Sequence, residues 1–382
     1  MDTVAAKRES FPLLSWTGLI SSVCIAIGLY WDISWHEAIG RDTFWTPAHL
    51  MIQFGAVLTG TVAGWVIMRA TFGGDSAARQ SSVSVMGFRG PLGAFISAWG
   101  GVAMLTSAPF DDWWHNAYGL DVKIISPPHM LLALGIAGIN WGAALGTIAE
   151  MNRSQGEGQR RMLQRVLLVL GGFVILQGMI LKLEYTNRVL LHSGISYLVI
   201  SIGTLLMLES LARATGHHWA RTIITAVYSI FVLLMLWILP LFPAQPKLGP
   251  VYQQITHFVP LPWPILLIVP AFMLDLISPW LLRRPRWQFA VAGGVAFLAV
   301  LVAVQWPFAT FMMSPAARNW FFAPPDYPYF ALPTQPTVRH VFVTFEKTSE
   351  WFWRNMTLAA MASVLSLWAG TYFGDWLRKL RR

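Results

Sequence analysis

Asp32, His36 and His49 recur further along the chain as Asp111, His115 and His129. The copies read Asp32-Ile33-Ser34-Trp35-His36 and Asp111-Asp112-Trp113-Trp114-His115, and Ala38, Gly40 and Asp42 match Ala117, Gly119 and Asp121. Each closes on a histidine after proline, Pro47-Ala48-His49 and Pro127-Pro128-His129, with one extra residue in the second copy. A carboxylate with two imidazoles is a ligand set for non-haem iron, and imidazole also suits copper and zinc. Three protein ligands leave positions open for water, oxygen or substrate. Asp42 and Asp121 are placed to accept the outer N–H of a ligating ring, which orients it. Asp112 competes with Asp111 for the ligand role, but the register of the first copy favours Asp111. The competing structural reading is a pair of hydrogen-bonded caps at a membrane surface, duplicated with the rest of the segment.

Positioning such a set requires helix ends. One turn of helix separates Asp32 from His36, and Asp111 from His115, so each pair shares a face. His49 and His129 stand where a following helix begins, each behind proline that suits a helix start. The offset from Asp32 to Asp111 is the same as that from His36 to His115. That interval holds two spans with their loops, and it predicts two helical hairpins side by side with their motifs at one depth.

The 382 residues are 55% hydrophobic and 12% charged with a mean hydropathy of +0.53, half the charge of an ordinary soluble domain. The fold class expected is an all-α polytopic membrane bundle. Apolar stretches long enough to cross a bilayer fall near 12–31, 48–68, 90–109, 128–149, 165–183, 192–211, 221–241, 261–281, 288–310 and 355–377. Residues 1–150 then form the duplicated motif region. Residues 151–382 hold spans five to ten, with a long connection near 311–354 rich in proline and aromatics. Cys24 is the single cysteine, which excludes an intrachain disulfide and a cysteine-built zinc or Fe–S site within one chain. Eighteen of the 27 Lys and Arg residues sort to one side of these spans. Positive charge marks the cytoplasm, so both termini are expected inside and both motifs on the outer face of a cytoplasmic (inner) membrane. No cleavable leader is read at the N-terminus. The net charge of +9 then reflects topology and not a nucleic-acid partner. The partners expected are the bilayer and either further membrane subunits or a second copy of the chain.

His192 and His257 share the outer face with the motifs and are candidates to support them, though a lone imidazole specifies little. Asp275 lies within the eighth span, either paired or on a proton path. Gly171-Gly172 and Gly293-Gly294 read as helix-packing sites, and no phosphate loop, dinucleotide fingerprint or nucleophile elbow is present.

The spacing Asp32-x3-His36-x12-His49 resembles the metal motif in the C subunit of the copper membrane monooxygenases, the particulate methane and ammonia enzymes. That subunit carries one such motif and fewer spans. The resemblance implies copper held by Asp32, His36 and His49, with iron and zinc as alternatives from the ligand types. The leading expectation is an outward-facing membrane metalloprotein acting as an oxidoreductase or as a subunit of one. A transporter or metal-handling permease would use the same residues for ion or proton passage. A haem protein with His49 and His129 as axial ligands leaves the repeated acids idle.

Overall fold

The protein is seen in a computed structural model that describes residues 12–40, 43–74, 76–119, 125–186, 190–281, 283–322, 328–332 and 346–382. The main helices in chain order are α1 (Leu13–Ala38), α2 (Pro47–Phe72), the short α3 (Ser76–Gln80), α4 (Leu92–Tyr118), α5 (Pro127–Arg153) and α6 (Glu157–Ile180). They continue with α7 (Gly194–Thr215), α8 (Ala220–Ile238), α9 (Ile268–Leu281), α10 (Arg286–Met312) and α11 (Ser349–Leu377). A two-stranded antiparallel ribbon, β1 (Val83–Val85) and β2 (Phe88–Gly90), bridges α3 and α4. Among the described residues, nine helices are long and apolar enough to cross a membrane. The chain is therefore an all-α, multi-span membrane protein.

The eighth of the ten expected spans is only partly helical. Over 261–281 the helix begins at Ile268 and is 14 residues long. Pro260, Pro262 and Pro264 explain this, because alternate prolines remove the N–H groups a helix needs and push their neighbours to extended backbone. The freed amides find other acceptors. Ile265 N donates to Tyr228 Oη (3.1 Å) and Leu266 N to Gln305 Oε1 (2.8 Å).

Lipid supplies no hydrophobic drive between helices, so close backbone packing and buried hydrogen bonds must hold them. Both repeat hairpins use the same device. A Cβ on Gly55 of α2 would fall 2.9 Å from the Ser21 carbonyl oxygen of α1; one on Gly135 of α5 would fall 2.8 Å from the Gly100 carbonyl oxygen of α4. Ser21 and Gly100 keep the offset that relates Asp32 to Asp111, and Gly55 and Gly135 exceed it by one because of the extra loop residue. The duplication thus extends from the motif into the helix contacts. The hairpins lie side by side, with α2 on α4 and α1 on α5. Gly60 faces Gly101 across α2 and α4, and Ile67 faces Gly90, so these helices are antiparallel and α1 runs parallel to α4. Both motifs therefore stand at the same end of the bundle.

Buried side chains stitch α2 to α1, α1 to α5 and α5 to α6. Thr59 donates to Ser21 Oγ (2.7 Å), Ser22 to Asn140 Oδ1 (2.6 Å), and Asn140 Nδ2 to Gln177 Oε1 (3.3 Å). Farther along the chain α7 packs on α11, and the buried charges Glu209, Arg221 and Asp275 are paired. Arg221 meets Glu209 (2.7 Å) and Asp275 (2.9 Å), and Arg213 meets Glu209 (2.6 Å) and Asp375 (3.2 Å). Arg286 closes the chain on Asp375 (2.8 Å). Three carboxylates against three guanidiniums leave no net charge in the network, which is the condition for tolerating them there. Asp275 also accepts from Thr222 N and Oγ1, so the structure places it as a paired anchor for the start of α8.

Candidate metal centres

Helix α1 runs past the expected end of its span to Ala38, and α4 to Tyr118. Each acid and its first histidine therefore lie on the same terminal turns. Thr46 and Ser126 stand immediately before Pro47 and Pro127, so α2 and α5 start with His49 and His129 in their first turn. Antiparallel packing brings each start against the end of its partner.

In the first copy His49 Nε2 lies 3.0 Å and His36 Nε2 3.9 Å from the same oxygen, Asp32 Oδ1. In the second, His115 Nε2 lies 3.3 Å from Asp111 Oδ2, and His129 Nε2 3.5 Å from Asp111 Oδ1. All six side chains are part-exposed, between 19% and 46%. Two donors bound at roughly 2.1 Å to one ion lie about 3.0–3.4 Å apart, so these separations approach that spacing. As the side chains stand, no group of three or more His, Cys, Asp or Glu among the described residues closes into a metal-binding set.

The imidazole tautomers carry more information. His49 Nδ1 lies 3.0 Å from the Thr43 carbonyl oxygen, and His115 Nδ1 3.4 Å from that of Gly119. A carbonyl only accepts, so Nδ1 carries the proton in each contact and Nε2 is the atom turned toward the carboxylate, as a lone pair in a neutral ring and as a donor in a protonated one. Asp32 Oδ1 and Asp111 Oδ1 are buried atoms with no hydrogen bond directed at them. With a neutral ring the two facing lone pairs repel, and a proton or a metal cation between them removes the repulsion. Gln53, one turn along α2 from His49, adds a buried Oε1 that likewise lacks a hydrogen-bond donor.

Asp112 turns to its own helix, accepting from Asn116 through its carbonyl and carboxylate (2.9 and 3.4 Å), while Asp111 meets both imidazoles. Asp42 and Asp121 lie outside the described residues. His192 Nε2 lies 3.0 Å from Thr310 Oγ1 with its ring edge-on to Trp306 of α10. His257 is exposed, with Nδ1 2.8 Å from its neighbour Thr256 Oγ1.

Sequence reasoning missed the loops that press on the first copy. Ser34 donates to the Val259 carbonyl (2.5 Å), Lys247 N to Ile39 O (2.9 Å) and Tyr329 N to Glu37 O (3.2 Å). Trp35 rests on Phe258. Burial pushes the Tyr329 phenol above its ordinary range, keeping it neutral over Gly40. The aromatic character of 311–354 was a sequence signal for the Tyr329 part of this clamp alone; Lys247, Phe258 and Val259 come from the connection between α8 and α9.

No protein-family model, curated protein or solved structure matches the chain.

Proposed function

We propose that this multi-span membrane protein is a metalloprotein with two Asp/His/His centres, Asp32–His36–His49 and Asp111–His115–His129, on the outer face of a cytoplasmic membrane. In this reading it is an oxidoreductase or a subunit of one. The carrying observation is the pair of acid–imidazole contacts in which Nδ1 is committed to a carbonyl and Nε2 faces a carboxylate. A cation drawn between them relieves the repulsion and brings the remaining histidine of each copy into reach. Copper is the first candidate, because it leads the divalent affinity order at nitrogen and oxygen donors and because of the shared spacing with the copper monooxygenase subunit. Bound there, copper would supply one-electron chemistry; the chain's own part is to fix ring orientation and leave positions open.

Metal analysis of protein from copper-replete membranes tests this directly. Two coppers per chain, one lost in His36→Ala/His49→Ala and both in His36→Ala/His115→Ala, with a Cu(II) signal coupled to nitrogen, are the expected results. Iron or zinc in the same positions would overturn copper and keep the centres. No retained metal would overturn the centres. Reporter fusions after residues 45 and 122 should read outside and one after residue 157 inside; an inside signal at either motif loop reverses the sidedness.

A transport reading has one observation of its own. Helix α7 is interrupted at Ile202 and Gly203, where Lys182 Nζ takes the Ile202 carbonyl and Thr204 Oγ1 (both 2.7 Å). Interrupted helices build ion sites in transporters. Metal uptake into proteoliposomes without stoichiometric retention would put that reading first.

A further inference from the structure

We propose that the turn closing α11 is a headgroup site for an anionic phospholipid, with the phosphodiester as the recognised group. A cavity of about 270 Å³ is lined there by Trp376, Lys379, Leu380, Arg381 and Arg382. Three of its five lining side chains are cationic and none is acidic. Arg378, also exposed, adds a fourth cation beside it. The nearest acid in sequence, Asp375, is already engaged by Arg213 and Arg286.

The turn is held in place by another helix. Asn152 Nδ2, at the end of α5, donates to the Leu377 carbonyl (3.2 Å) and the Leu380 carbonyl (2.8 Å), and Arg153 donates to the Arg381 carbonyl. These bonds occupy carbonyls at the negative end of the α11 dipole, which would otherwise repel an anion. They also fix the backbone that carries the cations, so less ordering remains for binding to impose.

Below the cavity, Trp368, Tyr372 and Trp376 are all exposed and recur at one-turn spacing, one above another on one face of α11. Arg286 lies over the Tyr372 ring at 4.7 Å. An aromatic stripe that leads along a spanning helix to a cluster of cations offers acyl chains and a phosphate their beds in the right order. Indole at a bilayer interface and basic residues just beyond a spanning helix are the two elements such recognition uses. A soluble anion would have no use for the stripe.

The full-length protein in a neutral detergent, titrated with phosphatidylglycerol and with phosphatidylcholine and read by native mass spectrometry, tests the site. One phosphatidylglycerol should be retained in preference to phosphatidylcholine. Lys379→Gln/Arg381→Gln/Arg382→Gln should weaken that retention roughly ten-fold or more, since each lost cation near the surface is worth about five-fold. Arg160→Gln/Arg161→Gln/Arg165→Gln removes equal charge from exposed positions on the first turns of α6, at the same end of the bundle, and should leave it unchanged. Trp376→Ala should weaken retention without altering charge. Equal loss in both triple variants would reduce the effect to general surface charge and overturn the site. Displacement by millimolar inorganic phosphate would overturn the lipid and leave a free-anion site.

Discussion

The same motif sits in two mechanical settings. The first copy is pressed by two connections, α8–α9 and α10–α11, through Ser34, Ile39 and Glu37, with Trp35 against Phe258 and Tyr329 over Gly40. The second copy is organised by its own helix: Phe110, Trp113, Trp114 and Tyr118 form a local aromatic cluster. Trp113 is 55% and Tyr118 68% exposed. Duplication copied the donors and the hairpin register, while the surroundings diverged. In the first copy tertiary contacts set the end of α1; in the second, Asp111 and His115 ride on the end of α4. In the proposed reading the second is the more yielding centre, and its exposed rings suit contact with lipid.

The harshest way to break this comparison is to remove one acid at a time. Asp32→Ala and Asp111→Ala should each abolish about half of the bound metal, weakening the affected centre roughly 100-fold or more by analogy with lost ligand support. If both single variants lose all metal, the copies are one coupled site and the comparison fails. Isothermal titration after chelator stripping should also show tighter binding at the first copy in the Asp111→Ala protein than at the second in the Asp32→Ala protein.

A smaller effect tests the shared hairpin register. Gly55→Ala and Gly135→Ala should each cost about 1–3 kcal/mol through overpacking, read as a lower midpoint of thermal unfolding in detergent. Gly135→Ala should cost more. Its Cβ meets the backbone at Gly100 O and Met104 N, both at 2.8 Å, whereas Gly55 meets backbone at Ser21 O and otherwise the Ile25 side chain. Equal costs would show that the second hairpin relaxes as readily as the first.

The clamp itself is sharpened by a pair of turn glycines. Gly40 (φ +84°) and Gly119 (φ +90°) are equivalent and both left-handed. A Cβ at Gly40 would also strike the Tyr329 ring, whereas at Gly119 nothing lies within 4 Å. Gly119→Ala should cost about 1–3 kcal/mol of backbone strain, Gly40→Ala clearly more, and Tyr329→Ala should bring Gly40→Ala down toward the Gly119→Ala value. The smallest expected change is Trp113→Ala, within about 0.5 kcal/mol in the isolated chain; a larger loss would mean that the exposed cluster holds the second centre more firmly than its burial indicates.

Much of this was legible in the residues. The spans follow from apolar runs that show no polar face, and the hairpin pairing follows from the constant offset between the copies and their two short turns. The choice of Asp111 over Asp112 came from register, and the structure turns Asp111 to the histidines. The eighth span misled because its composition is apolar throughout, yet Pro260, Pro262 and Pro264 veto helix whatever the hydropathy. Gly55 and Gly135 were invisible as a repeat because packing positions tolerate different neighbours, Ile25 in one copy and Met104 in the other.

Sequence by itself determined the chemistry on offer: a carboxylate and two imidazoles per hairpin, no cysteine within either motif, and helix ends to carry them. Such properties are local, set by residue type and by separations of a turn or two. Only the tertiary structure decided which ring nitrogen faces the acid, since that depends on the carbonyls of Thr43 and Gly119 held by the folded turns. It likewise decided that one copy is clamped and the other exposed. Val259 and Tyr329 reach α1 from the far half of the chain, and contacts closed over such separations leave no periodicity in the sequence.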